Sequence, residues 1–323
     1  MNRVLVTGAA GNVGTAVLRN LIADARYEIR AADQRELSDW ARDTCEVVSG
    51  DLRDPDEAER AVRGCTHVIH LAAIVGGIAN FHKLPLTLTE VNSALNNALF
   101  SAAVRHDVER FVYISSSMVF ERAEVFPTTE DYLPDCPTPQ SAYGFSKLAG
   151  EVYCRAANEQ FGFPYTICRP ANAYGPGELP DEEPGITHVI PDLIGKVLAG
   201  QRPLQIFGSG TQTRAFTHFD DTADGIVTAM SSPAGLHQDF NLTSSEEVTI
   251  AELGAIVWEA CGNDPDEFEL ESVAQPYATD VQRRILSGEK ARRVLSWEPK
   301  VSLRDGIRMT ADWMAANWQT VRS

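Results

Sequence analysis

Short apolar runs alternate along the first half of the chain with longer segments in which apolar positions recur every three or four residues. The short runs have the pattern of strands and the longer ones that of amphipathic helices. Strands are predicted at residues 3–7 (RVLVT), 28–32, 46–49, 67–71 (HVIHL), 110–114 and 166–169, with helices at 15–24, 55–63, 89–106 and 142–161 between them. That alternation predicts the α/β class, with a Rossmann-type doubly wound parallel sheet. Past residue 170 the pattern changes to an acidic, proline-bearing loop at 180–185, a helix at 188–198, and a strand at 204–207 closed by Gly208-Ser209-Gly210. Largely helical stretches follow at 250–261, 287–295 and 303–318. A chain of 323 residues exceeds the usual single core. The expected division is residues 1–170, with returning segments from about 205 to 240, and a smaller C-terminal α/β domain over 171–323.

Composition changes this picture little. Apolar residues make up 44% and charged residues 23%, an ordinary globular balance. There is no apolar run of about 18 residues, and a first strand starting at Arg3 leaves no room for a signal peptide, so neither a membrane span nor export is expected. The cysteines (Cys45, Cys65, Cys136, Cys154, Cys168, Cys261) are scattered and form no C-x-x-C pair, as in a reduced cytoplasmic protein without a zinc site or other metal centre. A formal charge of −17 disfavours nucleic acid and anionic membranes as partners. It leaves room for a small anionic ligand where basic residues gather.

The first chemical signal follows the first strand, which runs into Gly8-Ala9-Ala10-Gly11-Asn12-Val13-Gly14 and then a helix. That is the context in which a glycine turn binds a dinucleotide pyrophosphate. Gly8 permits the tight turn, Gly11 lets the backbone approach the phosphates, and Gly14 lets the helix pack on the strand, with Asn12 and Val13 at the helix start. Asp33 ends the second strand, placed to accept hydrogen bonds from the adenosine ribose and to repel a 2′-phosphate. NAD is therefore the expected cofactor, with Arg35 close enough to keep NADP as the alternative. Asp51 and Leu52 are placed to flank the adenine. Leu71, Ala72 and Ala73 lead into Ile74-Val75-Gly76-Gly77-Ile78, where small residues let a ligand lie against the backbone. Asn92 and Asn96 interrupt a mostly apolar helix and read either as site residues or as polar positions on a helix face. The fifth strand ends in Ser115-Ser116-Ser117-Met118, which puts hydroxyls where open parallel sheets bind ligands.

Tyr143 and Lys147 are four residues apart on the next helix and share a face. A phenol with an ordinary pKa of about 10 is a poor base at neutral pH, and lowering it by about three units takes about 4 kcal/mol. A lysine cation beside it is the obvious source, so Lys147 is expected to acidify Tyr143.

Together with Arg169-Pro170-Ala171-Asn172-Ala173-Tyr174-Gly175-Pro176, these motifs resemble the extended short-chain dehydrogenase/reductases, in their NAD-dependent nucleotide-sugar epimerase/dehydratase branch. The resemblance runs over essentially the whole chain. Three stretches, 72–78, 187–191 and 207–221, are most similar to GDP-fucose synthase and GDP-mannose 3,5-epimerase. The resemblance implies that Tyr143 takes the proton of a sugar hydroxyl, that Lys147 also holds the nicotinamide ribose, and that Ser116 hydrogen-bonds the same hydroxyl. It also implies cofactor contacts at Ser115, Asn92 and Pro170, and substrate contacts at Gly77, Ser117 and Val189. Asn172 and Arg214 would hold the nucleotide diphosphate; the alternative for Arg214 is an ion pair with Asp220 or Asp221. His188 matches the histidine acid of GDP-fucose synthase, the alternative being a surface histidine at a helix start. Helices 89–106 and 142–161 resemble the pair that forms a four-helix dimer interface, so a homodimer is expected.

Departures from the family narrow the chemistry. The 4,6-dehydratases carry Thr-Asp-Glu where this chain has Ser116-Ser117-Met118, so the acid and base of water elimination are missing. GDP-fucose synthase and GDP-mannose 3,5-epimerase have cysteine at the Met118 place, and a thioether has no proton to exchange. The arginine that often precedes Gly-Asp near the C-terminus is Tyr277 here, which leaves Arg283 or Arg284 as a phosphate partner. The expectation is a cytoplasmic NAD-dependent nucleotide-sugar epimerase that oxidises a hydroxyl, most simply at carbon 4, and returns the hydride. Residues 1–170 would hold NAD and residues 171–323 mainly the nucleotide-diphosphate sugar, with the Gly-Gly-Ile loop pointing to GDP. The alternatives are a GDP-fucose-synthase-like epimerase/reductase of a GDP-4-keto-sugar and a nucleotide-sugar dehydratase.

Overall fold

A computed structural model describes residues 2–181, 183, 185–274 and 281–318. Tyr277 lies outside them. The first half of the chain alternates as the sequence pattern predicts: β1 (Arg3–Thr7), α1 (Asn12–Asp24), β2 (Glu28–Asp33), α2 (Asp39–Thr44), β3 (Glu46–Ser49), α3 (Pro55–Val62), β4 (His67–His70), α4 (Ile78–Lys83), α5 (Pro85–Arg105), β5 (Arg110–Ile114), α6 (Ala142–Phe161) and β6 (Tyr165–Pro170). The long helix expected from residue 89 begins a turn earlier, because Pro85 at its first position has a preset φ and no N–H to leave unpaired.

The second half contributes β7 (Ala173–Tyr174), α7 (Val189–Leu198), β8 (Leu204–Phe207), β9 (Thr213–Ala215), β10 (Thr217–His218), α8 (Phe219–Ser231), β11 (Gln238–Leu242), β12 (Glu247–Thr249), α9 (Ile250–Ala260), β13 (Leu270–Val273), β14 (Arg283–Arg284), α10 (Glu289–Leu295) and α11 (Leu303–Ala316). The main sheet has seven strands in the order β11-β6-β5-β4-β1-β2-β3, and every pair in it is parallel. Its central strands are covered on both faces, which is why β5 reads as the continuous run RFVYI with all five residues buried. Strand order reverses between β1 and β4, the point at which doubly wound sheets open a crevice above their carboxyl ends.

The chain returns to this sheet later than residue 205, through α8 and β11. Phe219, Ile226, Met230, Phe240 and Leu242 join Val4, Val6 and Val17 in one core. β8 instead pairs with β13, and Leu204 and Ile206 point into a second core with Ile190, Leu193, Leu253, Trp258, Ile307 and Met314. Short pairings, β7 with β10 and β9 with β12 and β14, stand apart from the main sheet.

Candidate functional site

The glycine turn sits where strand order reverses. Gly8 has φ +69°, and a Cβ there would lie 2.8 Å from the Ala72 nitrogen; at Gly14 a Cβ would lie 2.2 Å from the Gly8 oxygen. Turn, helix and the exit of β4 thus approach as closely as only hydrogen side chains permit. Helix α1 follows Gly11 without a side-chain cap, so its first-turn N–H groups are available to an anion. Asp33 accepts hydrogen bonds from the backbone N–H groups of Ala10 and Arg35, both at 2.9 Å, and Arg35 Nε lies 3.4 Å from the same carboxylate. These residues fit a dinucleotide, with pyrophosphate over the turn and an adenosine ribose on Asp33. Beside them Leu52 is buried, and hydrogen bonds from Arg53 hold the Asp51 carboxyl below its usual range.

Asn92 and Ser115, expected at the cofactor, have protein partners, as does Asn96. Asn92 Oδ1 accepts from Ile74 N–H at 2.8 Å, while Nδ2 donates to the Ile74 oxygen at 3.2 Å and to Ser146 Oγ at 3.1 Å. Asn92 therefore ties the loop carrying Leu71, Ala72 and Ala73 to α6. Asn96 Oδ1 lies 3.1 Å from His70 Nε2, and Thr7 Oγ1 lies 3.0 Å from His70 Nδ1. Burial drives that imidazole down to about 3, so it is neutral. Ser115 Oγ donates to Glu151 Oε1 at 2.7 Å, and Glu151 forms a fully buried pair with Arg169, just before Pro170.

Ser116 Oγ accepts from Met118 N–H at 3.1 Å, and Ser116 draws the Tyr143 phenol towards lower pKa. The phenol is aimed by the start of α6: Ser141 Oγ caps Gly144 N–H at 3.1 Å and donates to Glu121 at 2.9 Å, setting Tyr143 in the first turn. Its ring stacks on Phe81, with centroids 5.1 Å apart and planes 7° from parallel, and packs on Leu88 and Met118. Burial pushes Tyr143 up to about 12, against the pull of the Ser116 hydrogen bond and the Arg284 charge. The cation that draws the phenol down is thus Arg284, where the sequence pointed to Lys147. The Lys147 ammonium lies 5.9 Å from the Tyr143 ring centroid and donates to the Ile114 carbonyl; burial lowers it to about 8.

The opposite wall gathers the remaining candidates. Arg214 and Arg284 are register partners on β9 and β14, and the Arg214 charge adds to burial in lowering Arg284 to about 9. Asp220 lies 3.5 Å from His218 Nδ1, and Asp221 accepts from the backbone N–H groups of Lys300 and Val301, so those carboxylates serve α8 and the segment before α11. Asn172, at φ +41°, donates to the Ala215 oxygen at 2.7 Å and accepts from Arg284 Nη2 at 2.5 Å. Arg284 Nη1 contacts the Met118 sulfur. Successive strand residues point to opposite faces, so Arg283 turns outward to pair with both oxygens of Glu247 and to lie over Phe126. Arg284 replaces Arg283 as the inward guanidinium.

His188 precedes α7 and Val189. Its Nδ1 lies 2.8 and 2.9 Å from the two oxygens of Glu178, and its backbone N–H donates to the same carboxylate at 2.9 Å. Burial opposes the imidazolium, but the Glu178 hydrogen bond and charge outweigh it, so His188 titrates above its ordinary value. Gly77 N–H donates to the Ile186 oxygen at 2.7 Å, and a Cβ on Gly77 would lie 2.2 Å from the Gly185 oxygen, so this loop docks on the segment leading to His188. Ser117 is buried behind Ser116. Sequence reasoning missed Glu178 and Phe81. Glu178 stands beside an acidic loop and reads as surface charge, and Phe81 lies in a short helix without a motif. Among the described residues no group of three His, Cys, Asp or Glu is arranged to hold a metal, and no helix is long and apolar enough to cross a membrane.

UDP-glucose 4-epimerase of Mycolicibacterium smegmatis is 33% identical over 96% of this chain and 98% of its own. GDP-L-fucose synthase 1 of Arabidopsis thaliana is 30% identical over 98% of this chain and 94% of its own. The crystal structure of Thermus thermophilus UDP-glucose 4-epimerase in complex with NAD superposes with a TM-score of 0.83, at 29% identity, covering 97% of this chain and 99% of the other. Residues 4–243 match the family described as NAD dependent epimerase/dehydratase. The chain belongs to that family, and NAD is its cofactor.

Proposed function

We propose that the chain is a nucleotide-sugar epimerase that inverts carbon 4 through a transient ketone. The observation that carries this reading is the buried Tyr143 phenol, stacked on Phe81 and packed on Met118, with Ser116 drawing it towards lower pKa. Bound NAD supplies a hydride acceptor that can give the hydride back. Tyr143 takes the O–H proton of the substrate hydroxyl as the C–H hydride departs, and Ser116 orients that oxygen. After the sugar presents its other face, Tyr143 returns the proton as the hydride comes back. Lys147, fixed on the Ile114 carbonyl, holds the ribose side of the site. Met118 fits a cycle that moves no carbon-bound proton. We assign nucleotide-sugar binding to the C-terminal half, with Arg214 and Arg284 as its cations. The test is turnover of UDP-, GDP- and dTDP-sugars in deuterated water. Inversion without ring deuterium supports hydride shuttling; label on a ring carbon next to carbon 4 rejects it.

The His188–Glu178 pair favours a second reading, an epimerase/reductase of a 4-keto sugar, in which a charged imidazole protonates a carbanion. Asp33 counts against the 2′-phosphate of the NADPH such a reductase would use. The nucleotide base is open between the uridine and guanosine diphosphates named for the relatives, and the Gly76-Gly77-Ile78 loop supports guanosine. Exposed Leu86, Phe145, Val152 and Phe161 on α5 and α6 support a homodimer through those helices, and six free thiols support a cytoplasmic setting.

A further inference from the structure

Arg284 is a poorly satisfied charge. Its described contacts are an amide oxygen, Asn172 Oδ1, and a thioether, Met118 Sδ, while its Nε is sealed from solvent without a partner. Glu121, the acidic group whose charge it feels, is committed to Ser141 N–H and Oγ, each at 2.9 Å. A half-buried guanidinium with no carboxylate among its described contacts is costly, and Asn172 is held in a left-handed conformation while anchoring it. Such a group is built to meet an anion from outside the chain.

Its position indicates which anion. Met118 lies two residues past Ser116 and packs on Tyr143, and the Arg284 charge is felt at that phenol, so the guanidinium sits beside the reacting carbon. The diphosphate of a sugar nucleotide is attached at carbon 1, across the ring from carbon 4. A carboxylate at carbon 5 is next to carbon 4. We infer that Arg284 is a specificity residue that receives a carboxylate on carbon 5 of the sugar, so the preferred substrate is the nucleotide diphosphate of a uronic acid. The inference rests on the carbon-4 epimerase reading. A planar fork meets a carboxylate with two parallel N–H···O bonds, which a neutral hydroxymethyl group does not match.

The experiment is calorimetric titration of the NAD-loaded protein with matched pairs, UDP-glucuronate against UDP-glucose and GDP-mannuronate against GDP-mannose, each also assayed for carbon-4 inversion. The uronate of the better-bound nucleotide is expected to bind at least about tenfold more tightly than its neutral partner. Arg284→Met is expected to abolish that margin, costing the uronate at least about tenfold more affinity than its neutral partner, and Arg284→Lys to keep part of it. NAD binding by both variants reports folding, and the lysine variant carries the test if the methionine variant fails to fold. Equal affinity for both members of each pair, a margin that survives Arg284→Met, or an equal loss for both members would overturn the inference; the last would assign Arg284 to the diphosphate. Inversion of neutral sugars without a uronate margin sinks this inference alone, whereas absence of inversion with every sugar nucleotide sinks the epimerase reading itself.

Discussion

Lys147 donates through Nζ to the carbonyl oxygen of Ile114 at 2.9 Å. The ammonium is 5% exposed, and burial lowers it from 10.5 to about 8. The unfolded chain therefore binds more protons than the folded one between those values, and stability rises with pH across that window. Below it the ammonium is charged in both states and the burial penalty is fully present, at most on the order of 3 kcal/mol. Relative to Lys147→Met, the wild type should gain stability between pH 7.5 and pH 10, read from urea midpoints. A gap independent of pH would show that the lysine is not desolvated as described.

Tyr143→Phe removes the proton acceptor and leaves the ring stacked on Phe81. Turnover should fall by about 10³-fold or more while NAD affinity stays within about threefold. Ser116→Ala removes a group that lowers the phenol, so its pH–rate profile should shift towards higher pH as well as fall. Near-normal turnover by the phenylalanine variant would remove Tyr143 from the chemistry.

Asp33 is our proposed determinant of cofactor choice. Asp33→Asn keeps the oxygen that accepts from Ala10 N–H but loses the charge facing a 2′-phosphate. Discrimination between NADH and NADPH, followed by fluorescence titration, should shrink by about tenfold or more. Unchanged discrimination would place the determinant elsewhere.

Glu178 raises the His188 imidazole above its ordinary value. Glu178→Gln removes the charge that raises the imidazole while retaining an oxygen within reach of Nδ1. The His188 titration followed by NMR should move to lower pH, so the imidazolium is lost at a lower pH than in the wild type. A titration that stays put would show that Glu178 does not set its charge.

The main sheet was legible because strands buried on both faces leave unbroken apolar runs, and the glycine turn because Gly8, Gly11 and Gly14 keep their spacing between a strand and a helix. The facing of Arg283 and Arg284 was not. Two consecutive arginines on a two-residue strand take their orientation from the register of Arg284 with Arg214, which the local pattern does not encode. The same holds for Lys147, whose partner is a carbonyl 33 residues away on β5, and for His188, which meets Glu178 ten positions earlier in the chain. Asn92 stood out as a polar residue in an apolar helix. Its bonds to Ile74 and Ser146 became visible only when the loop after β4 was seen to fold over α5.

The most direct measurement of the central claim is turnover, in ordinary water, of a sugar nucleotide carrying deuterium at carbon 4, with the product examined by mass spectrometry and NMR. Hydride removal and return through NAD predict an inverted product that keeps its deuterium at carbon 4. An inverted product that has lost the label to solvent would contradict the account.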